Sequence, residues 1–281
     1  MANWYEAWVA YKLGAGAMQQ YGFGATGGGS TEGQEPERPR LLGTRGGIRA
    51  KLIPLEGQVE FEVNSAAALQ LALRTAGELP TFSAVVCEPT GLRTYDDARV
   101  DRWTIGQAME EALKASLDWV GLSSPTIAAG TTAPVIIEEP WEWHHTAVTI
   151  GGACYWVQSW QLEGANNLSR RSDLCGSEAG QRRYYKRARI GDEDLSLTVT
   201  QEQPLPDAVS GHLDDDFKRD IAFQATYTRG TKSLTFSLAG MTASVRQVQL
   251  DTGDEPVQYE VQYYLPLNAG GMNSALTITE A

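Results

Sequence analysis

Apolar and polar residues alternate one by one through much of this chain. Gln58-Val59-Glu60-Phe61-Glu62-Val63 is a clean case, and Leu195-Ser196-Leu197-Thr198-Val199-Thr200 is another. Leu234–Leu238, Val245–Leu250 and Val257–Tyr263 continue the pattern. A two-residue period puts one face of each segment toward a core and the other toward solvent, as in half-buried antiparallel strands. Thr252-Gly253-Asp254 supplies turn chemistry between the last two. Two segments follow a helical step instead. In Ser65–Gly77, Leu69 and Leu73 lie four apart behind a Ser65 N-cap, and Gly77 ends the run. In Asp207–Phe223, Val209, Leu213, Phe217 and Ile221 recur every fourth residue. Ala108–Ala115 has helical composition, but the alternation from Leu113 to Val120 favours a strand.

The same order of elements occurs twice. The first half predicts a strand in Glu6–Leu13, a long loop Gly14–Gly47, a strand Ile48–Val63 and the helix Ser65–Gly77. Strands around Thr81–Cys87, Val100–Gln107 and Ala112–Gly121 follow. The second half predicts a strand Thr146–Leu162, a loop Glu163–Arg183, a strand Tyr184–Thr200 and the helix Asp207–Phe223. Strands around Leu234–Leu238, Ser244–Leu250 and Val257–Leu265 close it. The fold expectation is therefore mainly β, as two tandem antiparallel β-sandwich or barrel-like domains, each with one short flanking α-helix. The domains span 1–125 and 146–281, joined by a Gly-, Thr- and Pro-containing linker at 126–145. Loops as long as the two at matching positions are usually binding elements or disordered segments.

Composition narrows the function. Charged residues are 21% and apolar residues 42% of 281, which is ordinary for a globular chain. No apolar run is long enough to span a bilayer, so no membrane role is expected. The opening residues Met1–Lys12 lack the basic and apolar regions of a secretory signal. Three cysteines, Cys87, Cys154 and Cys175, read as reduced thiols and not as a disulfide framework. His144 and His145 are adjacent, which on a strand sends them to opposite faces, so no metal site is expected. Gly22–Gly27 matches a dinucleotide-binding glycine spacing, but more glycine and a charged Pro-rich run follow where a helix is needed. No cofactor site, catalytic group or enzyme activity is expected. Trp141, Trp143, Trp156 and Trp160 recur at even spacing and read as core-facing strand residues.

Charge is uneven. The chain carries a net −12, yet Arg170, Arg171, Arg182, Arg183, Lys186, Arg187 and Arg189 stand against only Asp173 and Glu178, a local net of +5. The remainder is near −17. A basic loop on an acidic body admits three readings: nucleic-acid contact with Tyr184 and Tyr185 stacking, docking onto an acidic surface of an identical subunit, or a solvated loop.

The second half opens Thr149-Ile150-Gly151-Gly152-Ala153-Cys154-Tyr155-Trp156-Val157-Gln158-Ser159-Trp160-Gln161-Leu162 and continues with Asn166-Asn167-Leu168. The basic loop, the strand from Asp194, the helical segment with Phe217 and the closing strands follow. This order resembles the tail tube, or major tail, proteins of tailed bacteriophages. The resemblance covers about half the chain directly, and the first half through the repeated pattern. It implies a virion protein, assembled in the host cytoplasm, that forms rings whose sheets join into an inner barrel. Such rings stack into a tube that conducts double-stranded DNA without binding it specifically. Long loops reach the next ring, which makes Arg38, Arg40 and the seven basic residues above candidate inter-ring or inter-subunit contacts. One-copy members form hexamers. Two copies per chain favour a homotrimer with pseudo-sixfold symmetry, with a hexamer as the alternative, and other tail proteins are expected partners. A DNA conduit should repel phosphate, because a basic wall would hold DNA through counterion-releasing contacts. Glu60, Glu62, Asp101, Asp118, Asp251 and Glu260 are the candidates for such a lining, and the sequence leaves open which face turns inward. Competing readings are a tail terminator, baseplate or capsid decoration module, or a carbohydrate-binding sandwich, since eight Trp is generous.

Overall fold

The computed structural model describes residues 8–26, 31–32, 55–74, 77–88, 91–122, 126–129, 133–135, 138–171, 187–191, 194–202, 221–249, 258–264 and 276–281. The first run of strands is β1 (Trp8–Lys12), β2 (Phe23–Thr26), β3 (Thr31–Glu32), β4 (Leu55–Glu62), β5 (Phe82–Glu88), β6 (Gly91–Ala108), β7 (Lys114–Gly121) and β8 (Thr126–Ala128). The second is β9 (Thr146–Ile150), β10 (Val157–Ala165), β11 (Ser169–Arg171), β12 (Arg187–Arg189), β13 (Asp194–Gln201), β14 (Ile221–Arg229), β15 (Lys232–Gln249), β16 (Gln258–Tyr264) and β17 (Leu276–Glu280). The alternation read from the sequence is realised directly. In β4, Leu55, Val59 and Phe61 are buried while Glu56, Gln58 and Glu60 are exposed. In β13, Leu195, Leu197 and Val199 are buried. Removing such a side chain from water stabilises by about 1.5–3 kcal/mol each, which is why the period holds so strictly where one face is covered.

Among the described residues fifteen strands form one antiparallel sheet, with β11 and β12 paired separately. In the first run the spatial order is β2-β4-β7-β6-β5-β1, and in the second it is β10-β13-β16-β15-β14-β9. Written by position along the chain, both orders are the same. Each run has one strand of 18 residues, β6 and β15, that takes part in two portions of the sheet. β8 adds to the early part of β6, and β17 adds to the early part of β15. Each long strand carries two irregularities at matching places. Opposite Ser83, β6 runs two residues, Asp96 and Asp97, and opposite Ala222, β15 runs Ala239 and Gly240. Asp97 and Gly240 both adopt positive φ, 55° and 73°. An extra residue then appears at Asp101 in β6 and at Ser244 in β15. Bulges bend and twist a strand, which lets one strand leave one portion of the sheet and join another. The runs meet where β6 pairs β10 over Arg102–Ala108 and Ser159–Ala165.

One principal hydrophobic cluster includes residues of both runs, from Val9 to Ile278. Trp160 packs on Phe223 and Phe236 with ring centroids 5.5 Å apart in each pair. A smaller cluster holds Ala10, Val85, Cys87 and Leu92.

Several expectations differ from the structure. In Ser65–Gly77 the described helix is a single 3-10 turn, Leu69–Ala72. Its β-like exit at Leu73 carries the chain away before an α-helix forms. Most of Asp207–Phe223 lies outside the described residues, and its end, Ile221–Phe223, is the start of β14. Tertiary pairing with β9 and β15 decides that segment over its fourfold spacing. The single strand expected over Thr146–Leu162 is two, split by the positive-φ pair Gly151-Gly152. The 126–145 segment does more than connect. It supplies β8, and its Trp141 is fully buried, with its backbone bonded to Val63 and Leu113. His144 and His145 lie in a 3-10 turn, not a strand, with rings 4.1 Å apart. Trp141 and Trp160 are core residues, whereas Trp143 and Trp156 are exposed. Among the described residues no helix is long and apolar enough to cross a membrane.

Candidate functional site

The solvent face of the central strands is a continuous polar surface. Cross-strand register places Glu60 opposite Ser116, Glu62 opposite Lys114 and Gln58 opposite Asp118. Thr104 links the next pair, standing opposite both Ser116 and Glu163. That row continues as Glu163–Ser196–Tyr264, and beside it on the same face run Gln161–Thr198–Gln262 and Thr200–Glu260. The face therefore crosses from β4 to β16 through the β6–β10 seam without interruption. Among the described residues its charged groups are Glu56, Glu60, Glu62, Asp118, Glu163, Asp194 and Glu260 against Arg99, Arg102 and Lys114, a net of −4. Serine, threonine and glutamine fill most of the remaining positions. Gln58 Nε2 donates to Ser116 Oγ at 3.1 Å, and Gln161 Nε2 donates to the Glu163 carboxylate at 2.6 Å. Two open hollows lie on this face. One is lined by Glu60, Glu62, Thr104, Lys114, Gln161 and Thr198, the other by Arg102, Glu163, Asp194 and Tyr264.

The acidity is felt locally. Asp118 titrates above the ordinary carboxylate range, chiefly because partial burial disfavours its charge. Asp101, Glu60 and Glu56 add to the rise and Arg102 opposes it. Lys114 is held above its usual range by its hydrogen bond to Glu111, with Nζ to Oε2 at 2.7 Å.

Buried polar groups pin both ends of the seam that makes the face continuous. At one end, fully buried Asn166 donates from Nδ2 to the carbonyls of Ala72 and Val100, each at 3.1 Å. Arg74 Nε donates to Asn166 Oδ1, and Arg74 Nη2 to the Asn166 and Gly191 carbonyls. At the other end, Gln107 Oε1 accepts from Tyr227 Oη at 2.8 Å and from Thr146 Oγ1 at 2.9 Å. Burial pushes the Tyr227 phenol far up, so it stays a neutral donor. Glycine is required for close packing in two strands, β4 and β10. A methyl at Gly57 would overlap the Trp119 indole, and one at Gly164 would overlap that of Trp103.

The structure brings together four of the six acidic candidates, Glu60, Glu62, Asp118 and Glu260. Asp101 sits in the β6 bulge, where its carboxylate accepts the Leu168 N–H at 2.6 Å and its carbonyl the Asn166 N–H at 2.6 Å. It therefore anchors a loop. Asp251 lies outside the described residues, as do Arg38, Arg40, Arg182, Arg183 and Lys186. Of the basic candidates, Arg170, Arg171, Arg187 and Arg189 fall on the paired strands β11 and β12, where Arg171 pairs with Arg187 and Ser169 with Arg189. Arg189 is exposed. Sequence reasoning missed Glu56, Glu163 and Asp194 on the face. Their signal was the same alternation that marked Glu60, carried back along β4 to Glu56 and across to Glu163 in β10 and Asp194 in β13. It also missed the exposure of Trp156, although Gly151-Gly152 announced the turn that breaks the tryptophan stripe.

The described residues gather no group of three or more His, Cys, Asp and Glu able to hold a metal ion. The face is a broad wall of mixed acidic and neutral polar groups. Such a wall can exclude polyanions without gripping them. In comparisons with known proteins, a family model described as phage tail tube protein matches residues 12–265. No curated protein matches the chain.

Proposed function

We propose that this chain, which belongs to the phage tail tube protein family, closes into rings that stack into a tube and turns its acidic sheet face to the bore. The single observation that carries this reading is the unbroken face from β4 to β16 with its net of −4 among the described residues. DNA has one negative charge per ~1.7 Å of duplex, and a wall of lysines would hold it through many counterion-releasing contacts. A wall of carboxylates interleaved with Ser, Thr and Gln lets it pass. On this reading the protein is a structural component of the virion tail, made in the infected cell, with other tail proteins at the ends of the tube.

The repeated strand order supports two tube-type units per chain, within 1–125 and 146–281, with 126–145 between them. The β6–β10 seam then serves as the pattern for ring closure. The late part of β15 corresponds to the late part of β6, and β2–β3 corresponds to β10. Edge strands left unpaired invite pairing, and the edge of β15 in one copy can take β2–β3 of the next. Three chains then supply six units in pseudo-sixfold array.

Electron microscopy of the purified chain tests this. The expected images are stacked rings with threefold symmetry and six similar lobes. Protein that stays monomeric at high concentration sinks the reading. Sixfold rings of six chains overturn the two-unit arrangement alone, and single rings that never stack select a terminator or baseplate role.

A further inference from the structure

The segment that leads from the first run into the second is fastened by one tryptophan and one imidazole. Val63, which follows β4, and Leu113, which precedes β7, form a ring of backbone bonds with Trp141. The Val63 N–H donates to Leu113 at 2.8 Å, the Leu113 N–H to Trp141 at 2.7 Å and the Trp141 N–H to Val63 at 2.9 Å. The Trp141 indole is fully buried. The Arg229 guanidinium lies 4.8 Å from its ring centroid, and the His145 and Tyr227 rings lie at 6.0 and 6.2 Å. Arg229 Nη1 also donates to the Glu139 and Pro140 carbonyls, and Lys232 pairs with Glu138. The β14–β15 turn of the second run thus holds the segment that leaves the first.

Beyond Trp141 the chain closes a reciprocal capping box. The Glu142 side chain accepts the His145 N–H, and His145 Nδ1 accepts the Glu142 N–H at 3.1 Å. Such a box ordinarily carries Glu or Gln in the place that His145 takes. Accepting at Nδ1 requires a neutral imidazole with its proton on Nε2. A proton on Nδ1 sets two donors against each other. It also adds a cation beside the His144 ring, 4.1 Å away between centroids, and near Arg229. Glu142 and Glu139 are the carboxylates that face it from its own segment. From the β6–β7 connection Ala112 bridges to Glu142, and the Glu111 carboxylate is taken by Lys114. His145 titrates below the ordinary histidine range, chiefly through partial burial. His144 and Arg229 add to the fall, and Glu142 and Glu139 oppose it. The closed form therefore holds fully above about pH 6.5 and loses ground as pH falls below it, because the open segment takes the proton more readily.

We propose that this joint is an acid-released clasp: protonation of His145 breaks the capping box and lets the 138–146 segment, with Trp141, lift from the ends of β4 and β7. The segment ends at Thr146, whose Oγ1 donates to Gln107 Oε1, so release also slackens the Gln107 end of the β6–β10 seam. Trp143 and His144 are exposed, which gives protons direct access to the cluster. The clasp acts within one chain and stands apart from the tube reading.

Hydrogen exchange of the full chain tests it, followed amide by amide at about pH 7.5 and about pH 5.5 and corrected for the chemical exchange rate. Opening at the Leu113 and Trp141 amides should rise ~tenfold at the lower pH, as release of one proton-linked contact allows. Val63, whose acceptor Leu113 stays in place, and Leu162 in β10 should not change. His145→Gln supplies an amide oxygen that accepts the Glu142 N–H at both pH values, and it should abolish the rise. His145→Ala should leave Trp141 open at both. A flat profile at Leu113 and Trp141 in the wild-type chain overturns the clasp, and so does a full rise in His145→Gln. An equal rise along β10 and β13 means general acid unfolding and overturns it as well.

Discussion

Asn166 makes three hydrogen bonds through one buried amide, two from Nδ2 and one to Oδ1. Its partners are Ala72, Val100 and Arg74, all in the first run, while Asn166 itself follows β10. Asn166→Ala would leave two carbonyls and a guanidinium nitrogen without this partner. An unsatisfied buried group costs about 1–3 kcal/mol, so a loss of ~2–4 kcal/mol is expected, read as a lower urea midpoint at unchanged slope. A midpoint within error of wild type would show that water replaces the amide. Asp101 teaches the same lesson about acidic residues. Its place in an alternating segment marked it for the polar face, but a bulge turned its carboxylate to the Leu168 N–H. Alternation assumes an unbroken pleat, and one inserted residue cancels it.

Elements were legible where one side of a strand is covered and the other is wet. β4, β13 and β16 fall within the segments that the period predicts. β14 was not, because its alternation begins at Ile221, where a fourfold stripe ends, and both periods fit that residue. Nor did the sequence join Leu234–Leu238 to Ser244–Leu250, since the bulge at Ala239-Gly240 looks like a turn when pairing is unknown. The seam strand β10 depends on Gly164, which admits the Trp103 indole from β6. Trp103 is 3% exposed and has little room to yield. Gly164→Ala should therefore destabilise by ~1–3 kcal/mol through overpacking, seen as a lower Tm, with amide exchange rising first along Arg102–Ala108. Equal exchange in that strand would mean that the seam tolerates the methyl.

At the scale of the molecule, the sheet sums charges that no single strand concentrates. Among the described residues the face holds seven carboxylates and three cations across both runs, and its potential acts on whatever lies over it. Reversing it with Glu60→Lys, Asp118→Lys and Glu260→Lys together should leave assembly intact while converting tubes into a matrix that retains linear duplex DNA at low salt. Retention should fall steeply as salt rises. Tubes that ignore DNA in both forms would show that this face does not border the bore. The family resemblance, carried in the sequence by Thr149–Leu162 and the order of elements after it, is borne out by the match over residues 12–265.

The sequence by itself determined the β class, most of the strands that share a polar face, the acidic balance with its basic loop, and the kinship with tail tube proteins. Each of these is local or additive: a two-residue period, a sum of charges, an order of segments. Only the tertiary structure decided which strands lie side by side, that the two runs fuse through β6 and β10, and that Trp156 points out while Trp160 points in. Those outcomes depend on pairing between residues tens of positions apart and on bulges whose placement is set by the partner strand. A one-dimensional pattern carries the face of a strand but not its neighbour.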